Sequence, residues 1–126
     1  MTQQSFKKKK ILNIVGARPN FVKIAPLIDA MRQFNRDSNR MIFESVLVHT
    51  GQHYDAKMSE AFFADLEIPK PDVFLGVGSG THAEQTANIM LAFEKICLNE
   101  KPDLLLVVGD VNSTLACSLE IGRAHV

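Results

Sequence analysis

Apolar positions along this chain switch between two periods, and the switches mark out its elements. Ile11-Leu12-Asn13-Ile14-Val15 is a short, nearly all-apolar run that stops at Gly16, the pattern of a parallel strand buried on both faces. Beyond it Phe21, Ile24, Ile28 and Met31 recur at spacings of three and four, which is one face of a helix. Gly16 allows the sharp turn between the two, and Pro19 fits a first helical position, where its missing N–H costs nothing. Pro26 falls inside the helix and is expected to kink or restart it. The polar stretch 35–40 closes it.

Residues 41–49 are apolar and β-branched and read as a second strand. Residues 56–66 form a second amphipathic pattern, with Met58, Phe62 and Leu66 on one stripe. After Pro69 and Pro71 comes a short third strand, 73–75, and then Gly76-Val77-Gly78-Ser79-Gly80-Thr81. Thr81 with Glu84 three residues on is a capping-box pattern. It opens a long helix, to about Asn99, whose buried stripe is Met90, Phe93 and Cys97. Leu104 to Val108 is an unbroken apolar run, expected to be a strand buried on both faces. It ends at Gly109-Asp110, and Ser113 is placed to cap a last helix.

This alternation of strand and helix predicts an α/β fold, a three-layer, doubly wound parallel sheet with right-handed crossovers. The common strand order for such a unit is 3-2-1-4, with the topological switch between the first and fourth strands. Ligands bind outside the carboxyl ends of the strands at that switch. Arg18 and Asp110 therefore converge on one crevice although they lie far apart in the chain.

Composition narrows the class. The chain has 126 residues, 46% hydrophobic and 22% charged, enough for one domain with a real core and too apolar for a disordered one. Fourteen basic residues balance fourteen acidic ones, which argues against a nucleic-acid surface. The Lys7–Lys10 run reads as a solvated lead-in to the first strand, with residues 1–10 an N-terminal tail. No apolar run is long enough for a membrane span, and Cys97 and Cys117 read as reduced core residues of a cytoplasmic protein.

The candidate chemistry sits on the turns. Arg18 lies at a helix N-terminus, where free N–H groups and the helix dipole favour an anion, so a phosphate clamp is expected there. Asp110, directly after a buried strand, is either a helix cap or a general acid or base in low-dielectric surroundings. Lys23 could reach back toward an anion. The glycine loop is not a dinucleotide fingerprint, because it follows the third strand and its sixth position is Thr81; it reads as a flexible loop beside the site. His49 and His53, with Asp55 near, have no third His or Cys ligand at hand, so no metal is expected. His53 reads instead as a hydrogen-bonding residue at the second strand's carboxyl end or as a satisfied structural histidine.

Four motifs together resemble the non-hydrolysing UDP-N-acetylglucosamine 2-epimerases. They are Gly-Ala-Arg-Pro-Asn at 16–20, Thr-Gly-Gln-His at 50–53, Gly-Ser-Gly-Thr-His-Ala-Glu-Gln-Thr at 78–86 and Gly-Asp-Val-Asn-Ser-Thr at 109–114. The resemblance implies the N-terminal half of a two-domain, B-type glycosyltransferase-like fold. It implies interconversion of UDP-N-acetylglucosamine and UDP-N-acetylmannosamine without a cofactor, in a homodimer that supplies envelope polysaccharide synthesis. It also implies a catalytic role for Asp110 and substrate binding by Arg18, Lys23, Gln52 and His53. The runner-up activities are a hydrolysing epimerase, a B-type glycosyltransferase, or nucleotide-sugar binding without catalysis.

Two positions depart from the family's pattern. Asn20 stands where Glu is more common. Asp55 stands where members with an allosteric site carry a Gln. The native domain is expected over residues 11–119, with the C-terminal domain absent and the fragment itself inactive. Residues 120–126, Glu-Ile-Gly-Arg-Ala-His-Val, match the in-frame translation of a sequencing-library adapter and are expected not to continue the last helix.

Overall fold

The computed structural model describes residues 7–51 and 70–124 together with Asp65, leaving out the side chains of residues 18, 123 and 124. The second amphipathic pattern, 56–66, lies outside the described residues, Asp65 aside. The first apolar run is strand β1 (Lys9–Val15), with Ile11 to Val15 all buried. Helix α1 (Arg18–Asp37) follows, then strands β2 (Phe43–His49) and β3 (Val73–Phe74), helix α2 (His82–Glu100), strand β4 (Leu104–Leu106) and helix α3 (Asn112–Ala124).

The strands form one parallel sheet in the order β3-β2-β1-β4. That is the order expected of a doubly wound unit, with β1 and β4 as neighbours. Two apolar clusters make it three-layered. On one face Leu12, Ile14, Val46 and Val48 pack with Ile89, Phe93 and Cys97 of α2 and Ala116 and Cys117 of α3. On the other, Val15 and Leu47 pack with Phe21, Ile24 and Ile28 of α1. Alternate strand residues feed opposite layers, as the period of two requires. Among the described residues no helix is long and apolar enough to cross a membrane.

The Thr81 box forms in both directions, Glu84 N–H to Thr81 Oγ1 at 3.1 Å and Thr81 N–H to Glu84 Oε1 at 3.1 Å. Both cysteines are free and buried. Burial raises the Cys97 thiol to about 11, and lifts Cys117 still further; both are inert apolar fillers.

Four expectations need correction. Helix α1 starts one residue before Pro19 and runs unbroken through Pro26. Pro26 is exposed and sits one turn after exposed Val22, so the carbonyl deprived of its N–H partner lies on the solvent side. Strand β4 is not buried on both faces: Leu104 is 53% exposed and residues 105–108 are half-buried, since β4 pairs only with β1 among the described strands. Ser113 does not cap α3; it lies inside the first turn, fully buried. Finally, α3 continues through Glu120 to Ala124. Ile121 packs against the α2-side core, which offsets the helix cost of Gly122.

Candidate functional site at the carboxyl edge of the sheet

The turns that leave the strands at their carboxyl ends are joined by neutral side chains. Asn20, in the first turn of α1, is 4% exposed and forks three ways. Its Oδ1 accepts from the N–H of Gly16 at 3.0 Å and of Ala17 at 2.9 Å, and its Nδ2 donates to the carbonyl of Val108 at 3.1 Å. The β1–α1 turn and the end of the β4 strand run are thus tied across the switch point. Thr114 Oγ1 donates to the same Val108 carbonyl at 3.1 Å. Gly16 and Ala17 thus spend their N–H groups on Asn20, and Pro19 has none, which leaves fewer turn amides for an anion.

Beneath the turn, Thr50 Oγ1 and Ser113 Oγ share a hydrogen bond of 2.8 Å. Gly16 packs onto that pair, and a Cβ there would lie 2.8 Å from Thr50 Oγ1 and overlap Ser113 Oγ. Only glycine lets the three chain segments meet so closely. Beside them His49 closes β2, 2% exposed, with Phe21 and Phe74 edge-on to its ring at centroid distances of 5.1 Å. The Gly51 N–H donates to His49 Nδ1 at 2.9 Å, which places the ring proton on Nε2. Among the described residues Nε2 has no partner, and burial lowers the His49 pKa to about 4. The ring is neutral at physiological pH.

The glycine loop is tethered rather than loose. Val77 N–H donates to the Thr50 carbonyl at 2.9 Å, and Gln85 Nε2 donates to the Gly78 carbonyl at 3.0 Å. Asn112 Nδ2 donates to Gln85 Oε1 at 2.8 Å and lies 3.0 Å from His82 Nδ1. The N-termini of α2 and α3 are locked together by this chain of amides. Nothing in the sequence pattern singled out Gln85 or Asn112 beyond their place in the motifs, and Ser113 read only as a cap; Gln85 and Asn112 look like ordinary first-turn residues until the two helices are set side by side.

Of the site residues expected from sequence, Arg18 opens α1 on this edge and Asp110 follows Gly109, whose φ of +87° makes the turn. Asp110 is exposed, not in the low-dielectric setting expected of it. It is not a helix cap: α3 begins at Asn112, and the Val111 carbonyl accepts the Thr114 and Leu115 N–H groups. Among the described residues nothing pairs with its carboxylate. Lys23 is exposed on α1, one turn further along. Gln52 and His53 lie outside the described residues. Among the described residues, one hollow of about 300 Å³ lies between α2 and α3 and another of about 440 Å³ at the amino edge; neither reaches these turns.

The fold is that of a doubly wound α/β protein with its topological switch between β1 and β4. The chain belongs to the UDP-N-acetylglucosamine 2-epimerase family, whose model matches residues 35–126. A UDP-N-acetylglucosamine 2-epimerase homolog of Methanococcus maripaludis is 49% identical over 93% of the chain. A UDP-2,3-diacetamido-2,3-dideoxy-D-glucuronate 2-epimerase of Pseudomonas aeruginosa is 44% identical over the same share. The crystal structure of Methanocaldococcus jannaschii UDP-GlcNAc 2-epimerase in complex with UDP-GlcNAc and UDP superimposes with a TM-score of 0.82 at 38% identity, covering 93% of the chain. The chain spans about 30% of the length of these relatives.

Proposed function

We propose that these residues form one wall of a nucleotide-sugar site in a longer cytoplasmic protein of this family. That protein interconverts UDP-N-acetylglucosamine and UDP-N-acetylmannosamine, acts as a homodimer and feeds envelope polysaccharide synthesis. The observation that carries the reading is the pairing of Arg18 and Asp110 turns at one switch point in a chain of this family. A base takes the C2 proton; the C–H electrons form the C1–C2 double bond, and UDP leaves C1 with its bonding pair. A proton then arrives on the other face of C2 as UDP adds back to C1. Asp110, exposed and uncommitted, serves in this proton traffic. Arg18 and Lys23 hold the departing diphosphate, and Gln52 and His53 contact the substrate. With the Gly16 and Ala17 amides occupied by Asn20, the cationic side chains carry most of that task. The 126 residues alone bind without turning over.

The test is to run the full-length protein in deuterated water and analyse the recovered UDP-sugars. Deuterium at C2 with no net loss of UDP-sugar supports the reading. Stoichiometric free N-acetylmannosamine favours a hydrolysing epimerase, and transfer to an acceptor a glycosyltransferase. The 44% identity to the diacetamido-glucuronate epimerase favours a second reading of substrate alone. Comparing kcat/KM for the two UDP-sugars decides between them.

A further inference from the structure

Two asparagines of α1 make the same fork at opposite ends of the sheet. Asn35 Oδ1 accepts from the N–H groups of Ile42 and Phe43, both at 2.9 Å, and its Nδ2 donates to the Phe43 carbonyl at 2.8 Å. Its partners lie seven and eight residues away, so it shapes only the α1–β2 turn. Asn20 uses the same three bonds differently: two partners are local, and the third, Val108, is 88 residues away. That third bond lands two residues before Asp110. Gly109 lies between them, close enough that a Cβ there would meet Asn20 Nδ2 at 3.2 Å.

We propose that Asn20 is a positioning residue: its amide sets the spacing between the Arg18 turn and the Asp110 turn across the crevice. In this chain the bridge is made by one short side chain that carries both an acceptor and a donor. A carboxylate could accept from Gly16 and Ala17, but it would set a second acceptor against the Val108 carbonyl. Val108 O keeps Thr114 as a donor, so losing the Asn20 bond frees the turn to shift without orphaning the carbonyl. A shift of that kind in an acid/base group costs rate more than binding.

The inference rests on the epimerase reading for its kinetic arm and is independent of it for its exchange arm. In the full-length protein, Asn20→Asp is expected to lower kcat by about tenfold or more with UDP affinity within about twofold. The ratio of variant to wild-type kcat should rise as pH falls, because a protonated carboxyl regains a donor for Val108. Asn35→Asp, the same chemistry at the far end of α1, should leave kcat unchanged. Added to Asp110→Asn, Asn20→Asp should cost little more, since it acts through that residue. Effects that multiply, a pH-independent ratio, or equal losses from Asn20→Asp and Asn35→Asp overturn the proposal. Asn20→Ser, which cannot span to Val108, serves if the aspartate variant does not fold. By hydrogen exchange, Asn20→Ser should speed exchange over 107–112 and Asn35→Ser only near 40–44. If the wild type shows no epimerisation, the functional reading fails while this exchange contrast still stands or falls alone.

Discussion

The two ends of the sheet are held by different chemistry. At the amino edge, charge is cancelled against charge: Lys8 pairs with Glu44 at 3.1 Å, Lys10 with Glu100 at 3.0 Å, and the Lys10 N–H donates to Asp103 at 2.8 Å. The hydrogen bond to Glu100 raises the Lys10 pKa against a smaller loss from burial. At the carboxyl edge, amides and hydroxyls do the joining: Asn20, the Thr50–Ser113 pair, and the Gln85–Asn112 bond. The structural bonds there consume amides and hydroxyls and leave the Asp110 carboxylate unspent. The amino edge sets its charges against one another, and the carboxyl edge is joined without using its exposed carboxylate.

The contrast breaks most visibly in acid. His49 is buried with its pKa lowered to about 4 from 6.5. Above pH 6.5 it is neutral both folded and unfolded and adds no pH dependence. As pH falls from 6.5 toward 4 the unfolded chain takes up the proton first, so stability drops, by up to about 3 kcal/mol, and then levels. Denaturation curves of wild type and His49→Gln from pH 7.5 to 4 should diverge over that window. Parallel curves would mean that His49 protonates as readily in the fold as outside it.

Next in size is Gly16→Ala, which sets a methyl against Thr50 Oγ1 and Ser113 and should cost about 1–3 kcal/mol, as overpacking does. The midpoint of chemical denaturation reads this directly. Gly78→Ala, whose Cβ would meet nothing within 4 Å, is the matched control.

Smallest is the amino edge. Lys10→Met should cost at most about 1 kcal/mol at neutral pH, because exposed ion pairs contribute little. The raised pKa means that the pairing persists below pH 10.5 and is lost as pH rises above it. The difference between Lys10→Met and wild type should shrink in molar salt. A large, salt-insensitive loss would erase the contrast between the two edges.

The sequence made the scaffold legible because each strand and helix carries its own period. The Ile11–Val15 run, the Thr81 box and the α2 stripe through Phe93 and Cys97 are local signals, and they fix the sheet order once the crossover rule is applied. Chain-distant bonds left no such trace. Asn20 was visible only as a departure from a motif, and its reach to Val108 depends on β1 and β4 being neighbours. Ser113 read as a cap because Ser before a helix usually is one; the hydroxyl of Thr50 across the turn claimed it instead. Asp110 was placed correctly at the switch, but its exposure could not be foreseen, since β4 is covered less than its apolar run implied.

The central claim is that the carboxyl-edge crevice does proton chemistry through Asp110. Asp110→Asn in the full-length protein keeps the shape and removes the ionisable group. Calorimetry should show UDP affinity within about threefold of wild type, while kcat for epimerisation falls by about a hundredfold or more, the usual loss for an acid or base. Near-normal turnover in that variant would contradict the account.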